Sequence, residues 1–372
     1  MKDKIISFIL IVIILSVLGV IGTLGYIVYT EIKEEGTIQI NFESDTGFPT
    51  IEFIPSSNNT IDIDENIFNG VEGNANETTE IKPKQSRFFY NQLDDTAKTI
   101  YKQLYKNKEN LKTGTYKVDF GNAFQSLLSK EGGDDELKNQ YQSAIEALVY
   151  ENPDIFYLDV TKMYINIEKI TKITGTKYNV YIDNGNDFSY LADEYYSKED
   201  IEEYEAQIEQ AKNQIIASVA GKNDYQKIKI IHDYLIDTIE YEDDLKQNNI
   251  YDIYGALINK KCVCEGYAKA FQYLMNEIGI ENTIVIGIGT NSKNQTENHA
   301  WNYIKLNEKW YAVDVTWDDP IIRGGGKLTQ KARYEYFLKG SNTMNKNHVP
   351  SGKFTQDGKI FEYPILSVED YK

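Results

Sequence analysis

The chain has 372 residues, 41% of them hydrophobic, so it has room for a membrane segment, a spacer and one or two domains with sizeable cores. It carries 57 Asp and Glu against 39 Lys and Arg, a formal net charge of -18 at pH 7. Because phosphate binding needs clustered Lys and Arg, we predict no nucleic-acid partner, and substrates rich in amines are tolerated better than anionic ones.

The first predicted element is a membrane helix. Residues 5–29 form an uncharged, largely apolar run, which at about 1.5 Å per residue can cross a ~30 Å hydrocarbon core. Lys2 and Lys4 precede the run and acidic residues follow it, so the positive-inside tendency places the N-terminus in the cytoplasm and the rest outside the cell. A cleaved signal peptide is the alternative, but the run is longer than a usual h-region. We predict a cytoplasmic tip and a single-pass anchor over residues 1–30.

Residues 31–84 are predicted to be a polar extracellular spacer. They are rich in Asn, Thr, Glu and Asp, and residues 56–84 have the composition of a solvated linker. Short edge strands are conceivable at three Thr-Ile pairs: Thr37-Ile38, Thr50-Ile51 and Thr60-Ile61.

Residues 85–195 are predicted to form a small α+β unit. Apolar residues recur at helical spacing over residues 86–108, and a second helix over 135–150 is ended by Pro153. Two β-rich stretches follow, 155–167 and 177–182. The pattern leaves open whether this unit is a separate domain or an N-terminal extension of the next one.

Residues 196–372 open with two predicted helices, 198–217 and 225–239. His232 lies beside the apolar stripe of the second helix. A lone His in such a position is more often a packed, hydrogen-bonded residue than a catalyst, so we interpret His232 as structural.

A further predicted helix begins at Cys264, in the sequence CEGYAKAFQYLMNEIGI. Apolar residues recur there with a helical period, and Gly279 follows as a C-terminal cap. A helix N-terminus presents unpaired N–H groups and partial positive charge. These favour the thiolate as a nucleophile and can also hold a developing oxyanion.

The sequence HAWNYIKLNEKWYAVDVT predicts two strands, 299–306 and 309–316, joined by a turn at Asn307-Glu308. A two-residue turn puts Trp301 opposite Asp314, so that His299 and Asp314 share a face as diagonal neighbours, about 7–8 Å apart between backbones. A three-residue turn would reverse this, and Asn-Glu is not the Asn-Gly typical of the tightest hairpin.

Cys264, His299 and Asp314 together suit nucleophilic acyl transfer. The His accepts the thiol proton and returns it to the leaving group, while the Asp fixes the tautomer and orientation of the imidazole. The second cysteine, Cys262, is one residue from Cys264, and a disulfide between them would be strained. With only three histidines in the chain, no spaced set of zinc ligands is evident, and we predict neither metal nor cofactor.

The blocks CEGYAKAF, HAWNYIKL and WYAVDVTWDDP resemble the three motifs of the transglutaminase-like superfamily, over roughly residues 200–340. The resemblance makes Cys264 the nucleophile, His299 the base and Asp314 the third member of a papain-type triad. Cys262 stands where the pattern has a small residue, so we interpret it as a packing substitution.

The resemblance implies an α+β, papain-like core over residues 196–372, in which a helix carrying the Cys packs on an antiparallel sheet carrying the His and the Asp. It implies acyl transfer from glutamine to an amine, or amide hydrolysis as in a cysteine peptidase, on protein or peptide substrates, with cell-wall peptides as one candidate. Animal members use calcium, but no EF-hand loop is present and Asp318-Asp319 alone is a weak metal signal. The alternative is a non-enzymatic surface adhesion or assembly module with the same fold.

Overall fold

The computed structural model describes residues 35–41, 52–54, 87–172, 175–242, 245, 248–320, 329–352 and 358–372. The predicted membrane anchor, residues 1–30, and the polar stretch 56–84 lie outside these residues. Within the described ranges, no helix is both long enough and apolar enough to cross a membrane.

The described ranges contain both helices and strands, so the predicted mixed α and β class is confirmed. The α-helices are α1 (Asp95–Lys106), α2 (Lys108–Leu111), α3 (Gln125–Leu128), α4 (Gly133–Glu151), α5 (Lys198–Ser218), α6 (Asp224–Thr238), α7 (Cys264–Glu277), α8 (Gln330–Arg333) and α9 (Ser341–Met344). The strands are β1 (Glu35–Asn41), β2 (Glu52–Ile54), β3 (Val118–Gly121), β4 (Tyr164–Lys172), β5 (Gly175–Asp183), β6 (Glu240–Tyr241), β7 (Lys261–Cys262), β8 (Asn282–Thr290), β9 (Thr296–Leu306), β10 (Lys309–Val313) and β11 (His348–Pro350).

The N-terminal unit is an antiparallel sheet in the order β2-β1-β4-β5-β3, accompanied by α1 and α4. The first two strands come from the segment that the sequence assigned to the spacer, and Thr37-Ile38 is indeed part of a strand. Strand β1 pairs along its whole length with β4, from Glu35↔Ile170 to Asn41↔Tyr164. Part of the predicted spacer thus extends the sheet of the neighbouring unit.

The predicted strand over residues 155–167 is only half correct. Residues 155–163 are irregular and include a 3₁₀ turn at Val160–Lys162, and regular pairing begins at Tyr164. Asp159 explains the turn, because its carboxylate accepts hydrogen bonds from the backbone N–H and the hydroxyl of Thr161, at 3.0 and 2.5 Å. Such local side-chain bonds compete with strand pairing.

The C-terminal unit packs α7 against an antiparallel sheet in the order β10-β9-β8-β11. Alanines at positions 268 and 270 are buried on the helix, which lets it approach the sheet closely. The Asn302 side-chain amide in β9 donates to the backbone oxygen of Ala268 at 3.0 Å, so it ties the central strand directly to the helix that begins at Cys264.

One continuous hydrophobic core joins the two units. The C-terminal segment 358–372 contributes to it, since the Phe361 ring meets that of Phe89 at 5.0 Å between centroids. The backbone N–H of Lys359 donates to the Ser143 hydroxyl at 2.9 Å. The N-terminal unit is therefore packed firmly on the C-terminal one, while the predicted boundary near residue 195 stays a prediction.

Candidate active site

Cys264 is the first residue of α7, as the sequence predicted, and is half-buried. The residue before it, Val263, occupies the N-cap position but has no side-chain oxygen to accept the free N–H groups of the first turn. A polar cap would satisfy one of these donors. With valine they remain available beside the thiol.

The backbone around Cys264 is held by a close contact in the first turn of α7. A Cβ at Gly266 would lie 2.5 Å from the Cys262 Cβ and 2.8 Å from the backbone oxygen of Ile250, so only glycine fits there. Cys262 itself belongs to β7, which pairs in parallel with β6 through Tyr241↔Cys262. This short sheet fixes the backbone immediately before Cys264.

Cys262 and Cys264 occupy different environments although one residue separates them. Cys262 is fully buried beneath Gly266, and burial raises the pKa of its thiol well above the ordinary value. Its thiol therefore stays protonated and packed, which agrees with its interpretation as a packing residue. Both cysteines are free.

The hairpin of β9 and β10 has the predicted two-residue turn. Asn307 and Glu308 have φ of 50° and 62°, so both are left-handed, as a type I′ turn requires. The register runs from Lys309↔Leu306 to Val313↔Asn302, so the predicted alignment is confirmed. Strand β10 ends at Val313, one residue before Asp314.

His299 and Asp314 meet as the predicted alignment suggested. The His299 Nε2 lies 2.7 Å from Asp314 Oδ2, and both side chains are buried. The second oxygen of Asp314, Oδ1, accepts the backbone N–H of Trp317 at 3.1 Å, which fixes the carboxylate plane. Since an ionised carboxylate only accepts, His299 donates through Nε2 and its Nδ1 is left for another partner.

Burial and charge oppose each other at this pair. Burial acts to lower the pKa of His299, but the charge and hydrogen bond of Asp314, with a smaller contribution from a hydrogen bond to Cys264, raise that pKa to about 10. For Asp314, burial acts to raise the pKa, and the two histidines His299 and His348 hold it well below its usual range. The buried state is therefore an imidazolium beside a carboxylate.

Aromatic rings hold the His299 imidazole in place. Trp317 stacks on it at 5.1 Å between centroids and 30°, and Trp301 at 5.8 Å and 26°. Because Nε2 is occupied by Asp314, Nδ1 is the ring nitrogen left for Cys264, which also helps to raise the pKa of His299. Cys264, His299 and Asp314 are thus brought together in the order that a papain-type relay needs.

His348 is a site residue that the sequence did not reveal. It lies in β11, and its Nε2 is 2.9 Å from the same Asp314 Oδ2 that His299 contacts. It follows Asp314 by 34 positions. No helical or strand periodicity links it to the three motif blocks.

A bound metal could in principle use His299, Asp314 and His348, whose ligand atoms lie within 4.8 Å of one another. However, the two Nε2–Oδ2 distances are 2.7 and 2.9 Å. Ligands of a tetrahedral zinc with bonds of about 2.0–2.1 Å lie roughly 3.3 Å apart. The observed spacing fits shared protons better than a shared metal ion.

The other polar residues singled out in the sequence have structural partners. His232 is buried, with Nε2 3.0 Å from Asp318 Oδ2, as its structural interpretation requires. The Tyr267 hydroxyl donates to Asp319 Oδ2 at 2.7 Å. Asp318 and Asp319 therefore point to different partners and do not form a joint cation site.

Residues 212–315 match the family model of the transglutaminase-like superfamily, and this range includes Cys264, His299 and Asp314. Among curated proteins, the kyphoscoliosis peptidase of Mus musculus is 25% identical over 142 residues, which is 35% of this chain and 22% of that protein. The human kyphoscoliosis peptidase is 26% identical over 141 residues, or 35% and 21%. The chain spans about a fifth of the length of these curated relatives.

Among solved structures, a TGase crystal structure has 15% sequence identity and a TM-score of 0.28, covering 46% of this chain and 48% of that one. A cysteine protease structure from Cytophaga hutchinsonii has 14% identity and a TM-score of 0.25, covering 43% and 68%. The assignment rests on the family model and on the three motif blocks. Residues 212–315 are therefore a transglutaminase-like domain, as the motif resemblance predicted.

Proposed function

We propose that the chain is a cysteine enzyme that cleaves amide bonds through a thioester on Cys264 and passes the acyl group to an amine or to water. The observation that carries the proposal is the buried His299–Asp314 pair, 2.7 Å between Nε2 and Oδ2, with Cys264 at the start of α7 near enough to help raise the pKa of the same imidazole. In this arrangement the proton of the Cys264 thiol rests on His299, and Asp314 stabilises the resulting imidazolium.

In the first step, the Cys264 sulfur attacks the carbonyl carbon of a substrate amide. The sulfur attacks as the thiolate, because the thiol proton is held on Nδ1 of His299, whose other nitrogen stays bonded to Asp314. The carbon–nitrogen bond then breaks, and His299 donates this proton to the leaving nitrogen. A glutamine side chain would release ammonia and a peptide bond would release an amine, and both leave a thioester on Cys264.

The developing oxyanion needs donors near the thiol. The free N–H groups in the first turn of α7 supply them, because Val263 does not cap them. The partial positive charge of a 14-residue helix adds to this stabilisation. The helix that carries the nucleophile thus also stabilises the charge that forms on the substrate.

In the second step, His299 takes a proton from the incoming nucleophile, which attacks the thioester and releases the Cys264 sulfur. An amine gives a new amide and therefore transfer, while water gives a carboxylic acid and therefore hydrolysis. The curated relatives are named as peptidases, which favours hydrolysis as one outcome. The two outcomes share Cys264, His299 and Asp314.

We further propose that the enzyme is anchored in the cell membrane by residues 5–29 and acts outside the cell on proteins or peptides. The uncharged run, with lysines before it and acidic residues after it, supports this orientation. The net charge of -18 disfavours anionic partners and suits amine-bearing ones. Cell-wall peptides, which carry free amines and amides, are one substrate class with these properties.

Mass spectrometry of a glutamine-containing peptide, incubated with the full chain in detergent with and without a primary amine, tests the proposal. Incorporation of the amine with loss of ammonia identifies transfer, and deamidation or backbone cleavage identifies hydrolysis. Cys264→Ala must abolish either product. Cys262→Ala is the matched control and must retain it, because the Cys262 thiol is fully buried and stays protonated.

Two results would contradict the proposal. One is a product that forms equally with Cys264→Ala. The other is the absence of any Cys264-dependent product across a panel of glutamine and cell-wall peptides, which would favour the adhesion or assembly module as the function of this fold.

A further inference from the structure

His299 and His348 contact one oxygen of a single buried carboxylate. Their Nε2 atoms lie 2.7 and 2.9 Å from Asp314 Oδ2. We infer that His348 is a positioning residue, which shares the charge of Asp314 with His299 and so limits how strongly Asp314 holds the proton on His299. The inference rests on the proposed function, since it concerns the base of the same reaction.

The structure holds the His348 ring as firmly as that of His299. The side chain is fully buried, and its centroid lies 4.4 Å from Trp317, 5.0 Å from Trp301 and 5.2 Å from Tyr336. Its Nδ1 is 2.9 Å from Asn347 Oδ1. A ring that merely filled space would need neither polar contact.

Backbone pairing places His348 at this position. In the register of β11 with β8, His348 lies opposite Gly289. A Cβ at Gly289 would be 2.8 Å from the Trp317 ring and 3.3 Å from the His299 Cβ, so glycine leaves the space in which these rings gather. The pairing of β11 with β8 and the absence of a side chain at Gly289 together place the His348 imidazole beside Asp314.

The chemistry explains why a second donor matters. An ionised carboxylate oxygen only accepts hydrogen bonds, so both Nε2 atoms donate to Asp314 Oδ2. Each donor lowers the remaining attraction of the carboxylate for the other. His299 must hold a proton while the thiolate attacks and must then release it to the leaving nitrogen, so a carboxylate reserved for His299 alone would retain that proton too strongly.

Among the residues that the structure describes, few charged and titratable groups surround this cluster. His299 faces Asp314 and Cys264, and His348 faces Asp314 and the Tyr336 ring. Burial first, and then the neighbouring carboxylates, raise the pKa of Tyr336, so its hydroxyl stays neutral at physiological pH. Asp318 and Asp314 repel each other as like charges, and the charge of Asp314 contributes to the raised pKa of Asp318. Besides His299, two groups donate hydrogen bonds to Asp314. His348 Nε2 donates to Oδ2, and the backbone N–H of Trp317 donates to Oδ1.

The test is the pH dependence of Cys264 alkylation by iodoacetamide in the full chain, followed by mass spectrometry with brief exposure at each pH. Thiolate reactivity changes when the adjacent imidazolium loses its proton, so the upper inflection reports His299. His348→Leu removes the donor, and His348→Gln keeps an N–H donor on a side chain of similar length. His232→Leu is the matched control, because it removes another buried imidazole that contacts a carboxylate.

We expect the upper inflection to rise by about one pH unit in His348→Leu. It should stay within about 0.3 unit of the wild type in His348→Gln and in His232→Leu. An inflection that is unmoved or lowered in His348→Leu, with only a loss of thermal stability, overturns the inference. A wild-type Cys264 that reacts like a free thiol, with no such inflection, overturns the proposed function as well.

A second measurement needs no variant at the site. The chain has only three histidines, so ¹⁵N-histidine labelling gives few imidazole signals to assign. At neutral pH, we expect protons on Nε2 of both His299 and His348 in the wild type. An unprotonated Nε2 on His348 would exclude donation to Asp314 and overturn the inference even if His348→Leu fails to fold.

Discussion

His299 lies in β9, Asp314 directly follows β10 of the same hairpin, and the two side chains meet at 2.7 Å between Nε2 and Oδ2. A different buried carboxylate also contacts an imidazole, since His232 Nε2 lies 3.0 Å from Asp318 Oδ2. The contact alone therefore does not define a catalytic site. What distinguishes the first pair is Cys264, which helps to raise the pKa of the same imidazole.

This comparison predicts different effects for two similar substitutions. Asp314→Asn should reduce Cys264-dependent turnover by roughly 10³–10⁴-fold, because the neutral amide can no longer stabilise the imidazolium of His299. Asp318→Asn alters the contact with His232 and should reduce thermal stability while leaving turnover within a few-fold of the wild type. Steady-state kinetics and thermal melts on the two variants measure this, and equal losses of turnover would contradict the distinction.

The type I′ turn predicts a stabilising substitution. Asn307 tolerates a left-handed backbone, but Glu308 at φ of 62° does not adopt it readily. Glu308→Gly should therefore raise the free energy of unfolding by about 0.5–1 kcal/mol. Glu308→Ala is the control, since it removes the exposed contact with Lys305 but keeps the Cβ. Urea denaturation measures both, and a gain in the alanine variant alone would argue against backbone strain.

A buried carboxyl group in the N-terminal unit predicts a pH dependence of stability. Burial raises the pKa of Glu151 to about 8, against hydrogen bonds from Tyr101 and from the backbone of Phe89 that act to lower it. A pKa above its unfolded value of about 4.3 means that its stabilisation is complete below that pH and is lost as the pH rises through 8.

The variant that tests this is Glu151→Gln. Between about pH 6 and 8 the wild type should lose on the order of 1 kcal/mol of stability per pH unit through this group, and the glutamine variant should lose less. Glu136→Gln, on the exposed part of the same helix, is the control and should follow the wild type. Denaturant midpoints at the two pH values decide, and parallel declines in all three proteins would contradict the assignment.

Local sequence patterns predicted the elements that carry the triad. The periodicity after Cys264 predicted α7, and the turn at Asn307-Glu308 with its flanking alternation predicted the β9–β10 alignment. These features depend on residues close together in the chain, where period and turn length determine geometry. The motif blocks added the family, because all three occur in order and the family model matches residues 212–315, which include Cys264, His299 and Asp314.

Local sequence patterns did not predict the features that depend on contacts between residues far apart in the chain. His348 reaches Asp314 only because β11 pairs with β8, and nothing near His348 in the chain indicates that partner. Strand β1 likewise joins β4 across more than a hundred residues, so its polar composition suggested a spacer. At residues 155–163 the Asp159 turn interrupts a β-rich composition. In each case a contact remote from the local pattern, or a single side-chain bond, decided the structure.

The central claim, that Cys264 forms an acyl-enzyme, is tested most directly with an activated acyl donor that bypasses the unknown substrate. The full chain is treated with p-nitrophenyl acetate, quenched in acid and analysed by intact-protein and peptide mass spectrometry. The account predicts rapid acetylation at Cys264 that hydroxylamine reverses. This acetylation should be absent in Cys264→Ala and retained in Cys262→Ala. Acetylation that is no faster than that of a free thiol, or that persists in Cys264→Ala, would contradict it.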